Sequence, residues 1–132
     1  MSAIPPKDWF GLVEAELCSS GFVQKAALID ISSGALIAFS PPDFKVGKSE
    51  ADALLKTLTR ESEAVSVEVN GEKYQILRNT PRSLYARKRH ACVTCVRTKL
   101  LLVVGVGDDT IIPSQCVTAV ESFADSLIDE RI

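Results

Sequence analysis

Between residues 65 and 106 the chain is a succession of short extended runs joined by turns, and no other feature constrains its fold as much. Val65, Val67 and Val69 alternate with Ser66 and Glu68, the period-two pattern of a strand with one face buried. Asn70-Gly71 follows, the strongest short hairpin signal, and Tyr74 to Arg78 forms the return strand. A turn over Asn79 to Arg82 leads to short strands at about 83–87, 91–97 and 100–106. Earlier, Ala26 to Ile31 and Ala35 to Phe39 read as strands separated by a Ser33-Gly34 turn. Consecutive strands joined by short hairpins imply an antiparallel sheet.

Three segments carry helical spacing instead. Residues 8–19 have Asp8 as N-cap, apolar Trp9, Leu12, Val13 and Leu17, and Gly21 as stop signal. Lys48 to Arg60 is capped by Ser49 and carries an apolar stripe of Ala53, Leu54, Leu55 and Leu58. Ile112 to Asp129 turns Val117, Val120, Phe123, Ala124, Leu127 and Ile128 inward. The order is helix, two strands, helix, about five strands, helix. Helices at the two ends of the chain must cover the sheet, which gives an α+β layered domain. At 132 residues the chain reads as one domain over 1–132, with residues 1–7 a loose arm ending at Pro5-Pro6.

Charge is unevenly distributed. The net charge is only −2, yet Lys73, Arg78, Arg82, Arg87, Lys88, Arg89, Arg97 and Lys99 lie in a stretch to Gly107 that contains no acid. Such segregation points to a basic face on an acidic molecule. The N-terminus lacks the apolar core of a signal peptide, and no apolar run approaches the ~20 residues of a membrane span. Four cysteines without a signal peptide imply free thiols in a reducing, cytosolic setting.

Cys92-Val-Thr-Cys95 invites a zinc or redox reading. On a strand, however, positions i and i+3 point to opposite faces, and no second such pair exists. Core packing accounts for these thiols better. His90 is the only histidine, and no carboxylate lies nearby in sequence to orient it. Nothing resembles a nucleophile–base pair or a paired-carboxylate site. The reading is therefore no enzyme, no catalytic residues, no metal, no cofactor and no nucleic-acid partner.

In order and spacing these segments resemble the profilin family from Trp9 to Ile132. Trp9 heads a helix that leads to Ala26-Ala27-Leu28-Ile29, similar to the family's Ala-Ala-Ile strand. Asn70-Gly71-Glu72-Lys73-Tyr74 resembles its Gly-x-Lys-Tyr hairpin, and Val96-Arg97-Thr98 its basic-Lys-Thr strand end. Pro113-Ser114-Gln115-Cys116 resembles Pro-Gly-Gln-Cys at the start of the last helix. Val120-Glu121 and Ala124-Asp125-Ser126-Leu127-Ile128 resemble the Val-Glu and Gly-Asp-Tyr-Leu-Ile ending. Ser83-Leu84-Tyr85-Ala86 and the context of Cys116-Val117 lean toward the testis-type animal profilin.

The resemblance implies a central antiparallel sheet of about six to seven strands, terminal helices on one face and a small helix elsewhere. It also implies a cytoplasmic, cytoskeleton-associated regulator that binds actin monomers and is itself a monomer. Carried over by position, the actin-binding candidates are Lys73, Arg78, Arg97, Ser114, Thr118 and Glu121. Basic side chains there suit an acidic partner through charge-assisted hydrogen bonds; on residue type alone they read more readily as solvated strand-surface charges, an order that the resemblance reverses for Lys73 and Arg78. Phosphoinositide binding is implied for Arg82, Arg87, Lys88, Arg89, Arg97 and Lys99. A loop kept soluble by charge is the plainer account. The alternative function is a membrane adaptor of the same fold with little actin activity. The proline-rich-ligand positions correspond to Trp9, Leu12, Ile37 and Ser126. Only Trp9 keeps an aromatic ring, so binding of proline-rich ligands is expected to be weak or absent.

Overall fold

A computed structural model describes residues 4–59 and 64–132. The chain begins with α1 (Trp9–Leu12), which continues as a π-helical turn (Val13–Leu17) and a 3-10 turn (Cys18–Ser20). It then runs through β1 (Lys25–Asp30), β2 (Leu36–Ser40), α2 (Lys48–Leu58), β3 (Ser66–Val69), β4 (Glu72–Asn79), β5 (Ser83–Lys88), β6 (Ala91–Arg97), β7 (Leu101–Gly107) and α3 (Pro113–Asp129). The strands form a seven-stranded sheet in the order β2-β1-β7-β6-β5-β4-β3, with every neighbouring pair antiparallel.

Local chemistry explains most boundaries. Asp8 caps α1 by accepting a hydrogen bond from the Gly11 N–H at 3.0 Å. Gly21, at φ 80°, closes this helical segment in the left-handed conformation that glycine adopts without a Cβ penalty. Asn70 and Gly71 both have positive φ, as the tight turn between β3 and β4 requires. Two expectations shift. The N-cap of α2 is Gly47 rather than Ser49, which falls inside the first turn and makes no capping bond. Arg60, expected to end that helix, lies outside the described residues. Residues 4–7 form no helix or strand but are tied down. Ile4 packs against the core, the Trp9 indole N–H donates to the Pro5 carbonyl at 3.1 Å, and Lys7 pairs with Glu130.

The centre of the sheet is covered on both sides. β7 is buried along its whole length, so its alternate residues serve two different cores. Leu101 and Val103 join Trp9, Val13, Leu17, Val120, Phe123 and Leu127 under the two terminal helices. Leu102, Val104 and Val106 join Phe44, Leu54, Leu58 and Tyr74 under α2. Of the residues expected inward on α3, Val120, Phe123, Ala124 and Leu127 are buried. Ile128 is 38% exposed and Val117 only half-buried, because a 17-residue helix presents one stripe to the sheet and these two flank it.

The seat of α3 is set by Gly105. A Cβ there would fall inside the van der Waals envelope of Val120 Cγ2. Val120 is β-branched and stiff on a helix, so it has little room to yield. Gly105→Ala is expected to cost about 1–3 kcal/mol, and Val120→Ala in the same chain should return part of that loss. Urea denaturation of the single and double variants measures both.

Candidate docking surfaces

The half of the sheet that α3 leaves open is where the candidate residues gather. α3 packs chiefly across β6 and β7 and reaches only the margin of β5, where Tyr85 packs against the terminal-helix core. The register decides which side chains emerge there. Tyr85 packs against the terminal-helix core and pairs across the ladder with Arg78 on one side and Thr94 on the other. Gln75 pairs with Arg87 in the same sheet. Tyr74 belongs to the α2 core, so strand alternation turns Lys73 to the α3 side. Lys73, Arg78 and Arg87 therefore share a face with Tyr85.

A β-bulge between Ile76 and Arg78 adds Leu77 to this face. Regular alternation admits only one residue of a neighbouring pair to a given side; a bulge sets an extra residue into one strand and re-aims it. Leu77, Arg78 and Tyr85 form the sheet wall of a cleft of about 560 Å³, and Pro113, Ser114, Val117 and Thr118 form the α3 wall. Glu121 lies one turn beyond Val117 on the same stripe of the helix. The tip of the β3–β4 hairpin is held by α2. The Glu50 carboxylate accepts the Asn70 and Gly71 N–H groups, each at 2.8 Å, which steadies Lys73 just beyond. Burial raises the Tyr85 phenol above its ordinary pKa, while Arg87 and Arg78 act in the opposite sense through their positive charge.

Arg97 does not join this surface. It pairs with Leu102, which lies in the α2 core, and follows Val96, which lies in the opposite one, so its side chain emerges on the α2 side. The wider basic set also divides. Arg82 sits at one end of β5 and is paired with Asp125 on α3. Arg97 and Lys99 lie toward that same end, because β6 runs antiparallel to β5. Lys88 and Arg89 lie at the other end, roughly 20 Å away for a six-residue strand. There Lys73, Arg87, Lys88 and Arg89 surround a depression of about 430 Å³, with Lys88 ion-paired to Glu72. The single basic face expected from sequence is thus two clusters, because charges consecutive in the chain are spread along strands and turns.

The proline-rich-ligand positions are differently placed. Trp9 is only 7% exposed, its N–H is engaged by Pro5 and the Lys7 ammonium stands 5.9 Å from its ring centroid. Leu12 and Ile37 pack against the same core. Ser126 lines a separate groove of about 490 Å³ beside Glu16, Ser20 and Phe22, and its hydroxyl donates to the Phe123 carbonyl.

The thiols behave as packing groups. Cys92 lies in the terminal-helix core and Cys95 in the α2 core, so the pair cannot chelate one ion. Burial pushes Cys95 up to about 12. Cys92 is held below the ordinary thiol range by its hydrogen bond with Cys116 on α3. His90 is exposed in the β5–β6 turn. No signal in the sequence marks Leu77 or Tyr85 for this surface, and the helical stripe of α3 places Val117 in the core, whereas all three line the cleft. The bulge that groups them leaves no mark in a stretch such as Tyr74 to Arg78.

The profilin family model matches residues 7–132. Profilin-2 of Dictyostelium discoideum is 31% identical over 123 residues, covering 93% of this chain and 98% of that protein. Profilin-2 of Acanthamoeba castellanii is 30% identical over 127 residues, covering 92% and 97%. Among solved structures, Acanthamoeba castellanii profilin IA superposes with a TM-score of 0.89 at 29% identity, covering 95% of this chain and all of that one. A complex of LokiProfilin2 with rabbit actin superposes at 0.77 with 15% identity, covering 95% and 98%, a likeness of fold. The relatives of higher identity named here are amoebal, so the lean toward the testis-type animal profilin is withdrawn.

Proposed function

This chain belongs to the profilin family, and on that premise we propose that it binds actin monomers through the open face of β4 and β5 beside α3 and so regulates actin polymerisation in the cytoplasm. The observation that carries the reading is the convergence of Arg78 with Ser114 and Thr118 around one cleft between β4, β5 and α3, with Lys73 further along the same face of the sheet. Solved relatives of the same fold are named as complexes with rabbit actin, which supports the choice of partner. Cations on strands form charge-assisted hydrogen bonds with carboxylates and speed encounter with an acidic protein. Glu121 adds an acceptor at the rim. Arg97, on the other side of the sheet, is left out of the surface. No catalytic step is proposed.

A second reading concerns anionic lipid. Lys73, Arg87, Lys88 and Arg89 converge on one depression, a suitable cradle for phosphoinositide headgroups. Arg82, Arg97 and Lys99 belong to the other end and are omitted. Lys73 stands at both surfaces, so lipid and actin would compete. No helix of the described residues is long and apolar enough to cross a membrane; association with a bilayer would run through this surface charge. For proline-rich ligands we propose weak or absent binding. Trp9 has its N–H engaged and its ring packed, and Leu12, Ile37 and Ser126 offer no aromatic face.

Three outcomes are expected. In pyrene-actin nucleation and monomer-binding assays, Lys73→Glu and Arg78→Glu each weaken binding about tenfold, equivalent to about 1.4 kcal/mol, while Arg97→Glu leaves it unchanged. Wild-type protein that neither slows nucleation nor co-elutes with monomeric actin would refute the actin reading. In co-sedimentation with phosphoinositide-containing vesicles, replacing Arg87, Lys88 and Arg89 by Ala loses about 1 kcal/mol per residue. Binding that persists undiminished at high salt would count against the charge mechanism. Titration with a proline-rich peptide leaves Trp9 fluorescence nearly unchanged; saturation at low micromolar peptide would overturn that part.

A further inference from the structure

We infer that Cys92 of β6 and Cys116 of α3 are a peroxide-sensitive dithiol, whose disulfide shifts the α3 wall of the cleft and weakens docking there; the effect on docking rests on the actin reading above. Cys92 and Cys95 part across the sheet, but Cys92 meets a different thiol. Both Cys92 and Cys116 are fully buried in the terminal-helix core, where the Cys116 S–H donates to the Cys92 sulfur. Two further groups face that sulfur. Gly107 is its ladder partner on β7 and donates a backbone N–H to it. A Cβ on Gly107 would stand 3.3 Å from Cys92 Sγ, so the glycine leaves the sulfur its room. Arg87 is the ladder partner on β5, and its buried Nε finds no hydrogen-bond acceptor among the described residues. Hydrogen-bond donors and a cation around a sulfur favour its thiolate, the form that reacts. Cys18 turns instead to Ser40 on β2, three strands from β6 in the sheet.

One molecule of hydrogen peroxide completes the chemistry. The Cys92 thiolate attacks a peroxide oxygen; an S–O bond forms, the O–O bond breaks, and the leaving hydroxide departs as water with the thiol's proton. Cys116 then attacks the Cys92 sulfenic acid; the S–S bond forms, the S–O bond breaks, and a second water leaves with the Cys116 proton. Two thiols are oxidised by two electrons while peroxide is reduced to water. An external dithiol reverses the bond by exchange. Access runs through the start of α3. Ile112 is its N-cap and provides no side-chain capping bond, so the turn that carries Cys116 lacks the tie that holds most helix ends closed. Local opening there admits an oxidant as small as peroxide.

The bond acts on the cleft because of where Cys116 sits. Hydrogen-bonded sulfurs stand well beyond the S–S length of about 2.05 Å, so closing the bond draws the first turn of α3 toward β6. Pro113, Ser114, Val117 and Thr118 flank Cys116 and form the α3 wall, and Tyr85 on the sheet wall lies close enough to feel both sulfurs. A close-packed interior transmits such a movement to its neighbours.

The native protein is treated with hydrogen peroxide, the oxidant is removed, free thiols are alkylated under denaturing conditions, and digestion with mass spectrometry maps the link. A Cys92–Cys116 disulfide is expected, reversed by dithiothreitol. In Cys116→Ala the Cys92 sulfenic acid is expected to persist and be trapped by dimedone, whereas in Cys92→Ala no link forms at Cys116. Oxidised wild-type protein is expected to bind actin monomers about tenfold more weakly than the reduced form, with no such loss when Cys92→Ala is treated alike. All four thiols intact after exposure, a link from Cys18 to Cys116, or a link between two copies would overturn the dithiol; this map needs no variant. A Cys92–Cys116 link that leaves actin binding unchanged would overturn its coupling to the cleft. Reduced wild-type protein that binds no actin would sink the actin reading, and the map then decides the disulfide by itself.

Discussion

The structure depends on one strand that must be dry on both sides. β7 runs Leu101-Leu-Val-Val-Gly-Val-Gly107 and is buried throughout. An antiparallel sheet can leave one face in water, but this strand cannot, because its alternate residues are apolar in both directions. The terminal helices answer one face and α2 the other. At roughly 25 cal/mol per Å² of apolar surface removed from water, coverage of both faces is the largest favourable term available to such a chain.

Where α3 sits follows from that requirement and from Gly105. A glycine at the contact lets Val120 approach the sheet closely, and the helix is thereby seated over β6 and β7. A helix is about 10 Å wide with its side chains, which matches about two strands at their ladder spacing. The outer strands therefore stay more open on that side, and the surface proposed for docking is what the core did not need to cover. The same logic explains why the cleft has one wall of sheet and one wall of helix. Its floor lies at the margin of the hydrophobic core, where half-buried Tyr85 packs against the terminal-helix cluster and also lines the cleft.

The hairpin that carries Lys73 shows how a surface side chain is positioned at little cost to the core. Asn70 and Gly71 supply the turn, and Glu50 reaches from α2 to hold its two N–H groups. The clamp crosses from the α2 layer to a sheet edge whose other side presents the basic residues. The two surfaces proposed for actin and for anionic lipid meet at Lys73, so one side chain links them. Trp9, by contrast, was drawn into the core. Its indole is engaged by the chain's own Pro5 carbonyl, and a residue that by type invites a ligand here holds the amino-terminal segment in place.

Period and punctuation were enough to read the elements. Val65 to Val69, Asn70-Gly71, the Asp8 cap and the apolar stripe of the last helix all encode local preferences, and local preferences survive in a sequence taken alone. The opposite fates of Cys92 and Cys95 followed from strand alternation for the same reason. Sequence could not show which charges share a face. Arg97 went to the α2 side and Arg82 parted from Arg89, because placement across a sheet depends on register and strand direction rather than on proximity in the chain. Leu77 emerged only through a bulge, a pairing irregularity between two strands that neither strand encodes by itself. Elements were decided by each segment's own chemistry, whereas the surface was decided by how those segments had to pack to keep water from β7.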